Sequence, residues 1–192
     1  FDLRISMKRS FDLFFSVLLL LFFAIPMILV FICIRLTSKG PALNWSDRVS
    51  KDNKIFKMPK FRSMLIDTPH VPTRHLNNPN SHLTPIGGFL RRSSLDELPQ
   101  LFSVLKGDLS LVGPRPVLSC EEDLISLRIK KGVNKLTPGI TGWAQVNGRD
   151  ELSISDKVTL DLEYLNRQSI WFDLKILFLT FNNVVRGAGI SH

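Results

Sequence analysis

The sequence predicts an α+β protein, mostly helical, with an N-terminal apolar segment (residues 1–40) ahead of a compact domain (residues 41–192) that carries a small β-hairpin. Three observations carry that reading. Residues 14–34 are 21 consecutive positions without a charged side chain, long enough to cross a bilayer core as a helix. Helix-like patterns then recur after residue 95, at 121–131, 155–165 and 170–185. Strand-like alternation is confined to Lys54-Ile55-Phe56-Lys57-Met58, a hairpin edge. A chain of 192 residues fits one domain with a useful core.

The apolar segment allows two architectures. Its length suits a spanning helix. Pro26, just past its middle, removes a helical hydrogen bond and favours a kink. Basic residues flank both ends, Arg4, Lys8 and Arg9 before and Arg35 and Lys39 after, so both ends prefer the cytoplasm. Split at Pro26, each arm of about 12 residues reaches roughly 18 Å at 1.5 Å per residue, about half of a ~30 Å core. A re-entrant helix–break–helix hairpin and a spanning helix therefore stand level on the residues alone. A signal peptide is disfavoured, because the apolar run is too long and no small-x-small cleavage site follows. Met7-Lys8-Arg9 reads as a plausible natural start, with residues 1–6 either additional sequence or the trace of a longer chain.

The net charge of +8 is unevenly placed: residues 1–62 hold eleven Lys and Arg against four Asp. A basic block flanking an apolar segment suits lipid headgroups or phosphorylated substrates better than nucleic acid. Cys33 and Cys120 lack metal-ligand spacing, and Cys33 lies in the apolar run, so a reducing compartment is expected. Three of the four histidines, His70, His75 and His82, fall in a Pro- and Asn-rich loop at 67–85 and read as solvated.

Further on, Ser94-x-x-Glu97 reads as a helix capping box, with the helix starting at Ser94 or at Asp96 and running to about Lys106. Either start puts the acidic pair Asp96-Glu97 at a helix N-terminus, which favours anions. Adjacent helical residues do not share a face, so the two carboxylates take different roles. A rigid loop is expected at 107–116 and a second Gly-rich loop at 137–149. Neither is a P-loop, and no dinucleotide or metalloprotease motif is present. The last helix mixes Trp171, Phe172 and Phe178 with Lys175, so it suits either the core or a flat position in the headgroup layer, with a partial interfacial role favoured. Lys60, Arg62, Arg91, Arg115 and Arg149 sit in or beside conformationally fixed loops. Arg115, between two prolines, is well placed to aim a guanidinium at phosphate oxygens. With the acidic pair they suggest a pyrophosphate site using a divalent metal, Mg2+ first.

These residues fall in strings that closely resemble the bacterial sugar transferases, the monotopic phosphoglycosyl transferases. The strings are Lys8-Arg9-Ser10-Phe11-Asp12, the proline-containing apolar run, Lys60-Phe61-Arg62-Ser63-Met64, Ser94-Leu95-Asp96-Glu97-Leu98-Pro99-Gln100-Leu101, Leu105-Lys106-Gly107-Asp108-Leu109-Ser110-Leu111-Val112-Gly113-Pro114-Arg115-Pro116 and Pro138-Gly139-Ile140-Thr141-Gly142-Trp143-Ala144-Gln145-Val146-Asn147-Gly148-Arg149. The resemblance covers nearly the whole chain, in order. It implies transfer of a sugar 1-phosphate from a UDP-sugar to polyprenol (undecaprenyl) phosphate, giving polyprenol-diphospho-sugar and UMP, the first membrane step of glycoconjugate assembly. It also implies a ping-pong course with Asp96 as nucleophile and Glu97 as Mg2+ ligand beside it, Asp96 being the second residue of the metal site and Mn2+ the alternative metal. Lys60, Arg91 and Arg115 match phosphate-holding positions, and Pro26 matches the helix-breaking proline of a re-entrant helix.

The implied setting is the cytoplasmic face of a bacterial inner membrane, where residues 41–192 form the catalytic domain with interfacial amphipathic helices. The implied partners are UDP-sugar, polyprenol phosphate, membrane lipids and downstream glycosyltransferases, with no nucleic acid. Two departures stand out. Ile25 replaces the usual serine before the proline, and Ser46-Asp47-Arg48-Val49-Ser50 keeps only the arginine of a Gln-x-Arg-x-Gly stretch, leaving Arg48 as a contact without a carried-over role. A non-catalytic membrane scaffold of an assembly complex is the alternative, disfavoured by the intact Asp96-Glu97, Lys60 and Arg115.

Overall fold

A 36-residue helix, α1 (Asp2–Thr37), forms one wall of the computed structural model, which describes residues 2–69, 78–148 and 151–186. The helix runs through Pro26 without interruption, so the break expected there is not seen. An internal proline costs a helix about 3 kcal/mol, and packing on both sides of it opposes that cost. Phe15, Leu19 and Leu20 pack on the main core, while Met27, Val30 and Ile34 pack with Ala42, Phe61 and Leu90. Lys8, Asp12, Phe15, Ser16, Leu19, Phe23, Met27, Val30 and Ile34 thus form one inward stripe at helical spacing. The opposite stripe, including Phe14, Leu18, Leu21, Phe22, Ile25, Leu29, Ile32 and Leu36, is exposed.

Next comes a hairpin of β1 (Leu43–Val49) and β2 (Ile55–Phe61), antiparallel from Leu43 opposite Phe61 to Val49 opposite Ile55. Asp52 and Asn53 turn the chain with positive φ of 54° and 61°, a conformation these residue types tolerate. Pro59 is accommodated because β2 is an edge strand. The expected strand around 54–58 is therefore present, and its partner β1 had no signal of its own. A short helix α2 (Gly87–Ser93), a 3-10 turn (Leu95–Glu97) and α3 (Gln100–Lys106) follow.

The loop expected at 107–116 contains strand β3 (Ser110–Val112), followed by β4 (Val117–Leu118), which extends the hairpin sheet beside β1. Helix α4 (Glu122–Lys130) leads to β5 (Gly139–Thr141), which pairs parallel with β3. Then come α5 (Trp143–Val146), α6 (Ile154–Arg167) and α7 (Ile170–Arg186). The Ser153 hydroxyl accepts from the Asp156 N–H to start α6, one residue or two before the sequence expectation.

The core gathers Phe56, Met58, Leu101, Val104, Leu109, Leu111, Val112, Tyr164, Phe172 and Ile176. A polar cluster pins the start of α1 to it. Asp12 accepts from the Ser110 hydroxyl (2.8 Å) and the Leu111 N–H (3.2 Å). Lys8 donates to Asp173 (2.7 Å), which also accepts from the Tyr164 hydroxyl (2.7 Å). Arg9 donates to the Val104 and Leu105 carbonyls at the end of α3, where a cation complements the helix dipole. Asp12→Ala strands the buried Leu111 N–H, while the Ser110 hydroxyl keeps the Val112 carbonyl as acceptor, so it should cost roughly 1–3 kcal/mol; Asp12→Asn, which keeps an acceptor, should cost less. Thermal unfolding of both variants in one detergent checks this, and equal losses would contradict it.

Candidate active site

The two Gly-rich loops meet backbone to backbone. The Gly113 N–H donates to the Thr141 carbonyl and the Gly139 N–H to the Pro114 carbonyl, both at 2.9 Å. A Cβ on Gly139 would lie 2.1 Å from the Gly113 nitrogen, and one on Gly142 would lie 2.0 Å from the Gly113 oxygen. Only glycine permits that approach. The contact fixes Arg115 between its prolines, and its carbonyl accepts from Arg128 (2.8 Å), itself held by buried Asp161 (2.7 Å).

The acidic pair sits differently from the capping-box expectation. Ser94 adopts positive φ (56°) and makes no side-chain cap, so α3 starts at Gln100 instead of Ser94 or Asp96. Asp96 and Glu97 lie in the 3-10 turn ahead of it, a corner forced by the left-handed Ser94. Asp96 is 8% exposed. Its carboxyl is pushed up to about 6, first by burial and then by the Glu97 charge, against the pull of Lys60 and Arg91. Glu97 pairs with Lys60 at 2.7 Å. The strand β2 delivers Lys60 to this corner.

A cavity of about 440 Å³ opens beside Glu97 and Arg115. Its charged end adjoins a narrow cleft lined by Arg48, Lys60, Gln100 and Arg115. Its other walls mix apolar residues, Leu19 and Phe23 from α1, Leu98 and Leu101, and Leu177 and Val184 from α7, with the polar Thr141, Gln145, Glu151, Thr180 and Asn183. Such a site accepts a molecule with a charged head and a hydrocarbon body. Among the described residues no three carboxylate, imidazole or thiolate groups converge. Glu97 and Glu151 both line the cavity; Glu97, paired with Lys60, fits the few protein ligands that Mg2+ characteristically takes beside phosphate and water.

The structure thus brings together Lys60, Asp96, Glu97 and Arg115, with the Arg91 charge felt at Asp96. Arg62 goes elsewhere: buried, it donates to the Ser38 carbonyl and hydroxyl at the end of α1. Arg149 lies outside the described residues, as do His70 and His75. Arg48 was read from sequence only as a contact. Here it donates to Ser46 and the Pro116 carbonyl, and burial, then the neighbouring Arg115 charge, lowers it to about 10. Two like-charged guanidinium groups in one cleft suit an anionic ligand. The strand β1 that carries Arg48 had no sequence signal, so its arrival beside Arg115 could not be read.

Compared with known proteins, residues 3–187 match the family model described as bacterial sugar transferase. The chain is 44% identical over 189 residues to undecaprenyl-phosphate glucose phosphotransferase of Komagataeibacter xylinus, covering 93% of this chain and 36% of that protein. It is 40% identical over 182 residues to UDP-glucose:undecaprenyl-phosphate glucose-1-phosphate transferase of Escherichia coli (strain K12), covering 91% and 39%. To the uncharacterized sugar transferase EpsL of Bacillus subtilis (strain 168) it is 39% identical over 187 residues, covering 96% and 90%. The chain therefore spans well under half of the first two relatives and most of the third.

The raised Asp96 makes a pH prediction. The folded state binds its proton more tightly than the unfolded chain, so this group's contribution to stability is full below about pH 4 and is lost as pH rises through about 6. Asn carries no charge at either pH. The melting temperature of Asp96→Asn minus that of wild type should therefore rise between pH 4 and pH 7, by an equivalent of up to ~3 kcal/mol. A difference that stays flat across this range would contradict it.

Proposed function

The chain belongs to the bacterial sugar transferase family, and we propose that it moves a sugar 1-phosphate from a UDP-sugar to polyprenol phosphate. One observation carries the reading: a cation-paired glutamate lines the charged end of a cavity with apolar wall residues from α1 and α7, and the aspartate before it in the same turn is buried. A nucleotide-sugar pyrophosphate fits the cations, and a lipid phosphate fits the cavity as a whole.

In this reading an Asp96 carboxylate oxygen attacks the β-phosphorus of the UDP-sugar, and the bond to the bridging oxygen breaks to release UMP. The product is a sugar-phosphoryl aspartate. An oxygen of polyprenol phosphate then attacks the same phosphorus, forming the diphosphate link and returning the Asp96 carboxylate. Lys60, Arg115 and Arg48 hold phosphate oxygens, and Arg91 adds positive charge near Asp96. Unscreened, a carboxylate and a phosphate charge 4 Å apart repel by about 4 kcal/mol at an effective dielectric of 20. Glu97 is the residue that would hold Mg2+, which when bound supplies charge neutralisation at the pyrophosphate.

Incubation with UDP-sugar but no acceptor should leave a sugar-phosphate on the peptide containing Asp96, detectable by mass spectrometry and absent in Asp96→Asn. Full turnover by that variant, or an adduct on Glu97, would refute the assignment. Excess EDTA should abolish turnover.

We also place both ends of α1 on the cytoplasmic face. A spanning helix leaves its domain as it crosses the bilayer, whereas α1 keeps one stripe against the domain from Lys8 to Ile34. Both of its ends are tied to that domain, by Lys8 and Asp12 at one and by Arg62 at the other. Its exposed stripe and the exposed Trp171, Phe178, Phe181 and Val185 of α7 then dip into one leaflet. In a Cys33→Ser, Cys120→Ser background, cysteines placed at Ser6 and at Ser38 should both resist an impermeant maleimide in intact spheroplasts. Labelling at Ser6 with protection at Ser38 would demonstrate a spanning helix.

A further inference from the structure

We propose that Gln145 determines substrate specificity, its side-chain amide recognising a neighbouring donor–acceptor pair on the neutral part of the nucleotide-sugar. The inference rests on the function proposed above and assigns a recognition role within that cavity. Gln145 lines the cavity with Glu97, Arg115 and Thr141. Among the described residues its amide oxygen and nitrogen are both buried, and neither has a hydrogen-bond partner.

Buried polar groups are almost always paired, and a primary amide brings two donors and two acceptor sites that need partners. Nearby groups do not supply them. The Thr180 hydroxyl donates to the Ile176 carbonyl (2.8 Å) and accepts from Thr141 (2.7 Å), and an Asn147 N–H donates to the Trp143 carbonyl. The Gln145 oxygen lies folded over Gly142, where a Cβ would come within 2.7 Å of it. A turn about the side-chain bonds carries the amide from that unpaired position into the cavity. A ligand that offers partners there favours the turned state.

The chemistry of the ligand follows from the neighbours. Arg115, Lys60 and Arg48 already serve the phosphates, and a neutral amide adds little to a dianion. Its match is one donor beside one acceptor, without charge. A UDP-sugar offers that pair in two places: the N3–H and adjacent carbonyl of uracil, and the vicinal hydroxyls of the sugar.

The test uses the full chain in detergent or nanodiscs, with polyprenol phosphate and whichever UDP-sugar the wild type turns over fastest. Gln145→Met keeps the shape and removes both polar atoms. It should raise KM for the UDP-sugar about 5- to 20-fold with kcat within about threefold, the loss of one or two neutral hydrogen bonds. Its melting temperature should hold or rise, because an unpaired amide has been removed. If UMP inhibition weakens by the same factor, the amide reads the base. If UMP inhibition is unchanged while discrimination between epimeric UDP-sugars narrows, it reads the sugar. Either result supports the proposal. Unchanged KM, UMP inhibition and epimer discrimination would overturn it, as would a joint fall in kcat and melting temperature at constant KM. Should Gln145→Met fail to fold, Gln145→Leu, which also removes both polar atoms and adds no charge, gives the same readouts. A wild type that turns over no nucleotide sugar defeats the proposed function itself. Active wild type with an unaltered Gln145→Met defeats this inference alone.

Discussion

The direct contact between two stretches of backbone at Gly113, Gly139 and Gly142 is the constraint on which the charged end of the cavity depends. Side chains there would hold β3 and β5 apart and part the Gly113–Thr141 and Gly139–Pro114 hydrogen bonds. Everything that faces the cavity from this side is attached to that junction: Arg115 just after it on one loop, Thr141 and Gln145 on the other. The opposite side is built by β2 and the turn ahead of α3, which bring Lys60 against Glu97. Two rigid pieces with little freedom between them suit chemistry in which positioning of charge does most of the work.

The Lys60–Glu97 pair gives the resting site its own counter-ions. Each is less than a quarter exposed, so neither charge rests comfortably alone. In the proposed reaction an arriving pyrophosphate with its cation would offer Lys60 a new anion and Glu97 a new cation at the same time. Ligand entry is then an exchange of partners. Asp96 is treated differently, since burial and the Glu97 charge leave it with a weakened preference for ionisation. The adjacent carboxylates therefore have unequal character, and their local geometry explains it: the left-handed Ser94 turns the chain so that one is enclosed and the other opens on the cavity.

Much of this was legible in the chain. The starts and stops of α4, α6 and α7 follow from apolar spacing and polar ends, and the acidic pair, Lys60 and Arg115 stood out by residue type. What was misread turned on context. Pro26 was weighed by its local cost, yet packing along both halves of α1 carries the helix through it. Ser94 has the right neighbours for a capping box but the wrong φ. The three-residue strands β3 and β5 are too short to show a period, and their glycines read simply as loop signals. Arg62 looked like a phosphate ligand because of its neighbours, whereas the structure assigns it to the end of α1. Gln145 gave no signal at all, because an amide becomes conspicuous only when its surroundings fail to pair it.

The inward stripe of α1 has a consequence for how the protein is made. Phe11, Phe15, Leu19 and Leu20 belong to the same core as Val104, Leu111, Tyr164 and Ile176, and those partners are separated from them by most of the chain. During synthesis α1 emerges long before the surface that covers its inner face, and for that interval lipid or a chaperone is the only apolar shelter on either side of it. Insertion and folding are then coupled, with the bilayer acting first as solvent for the whole helix and later for half of it. A fragment made by removing α1 would lack a wall of its own core, so here the apolar N-terminal helix serves lipid with one face and the core with the other.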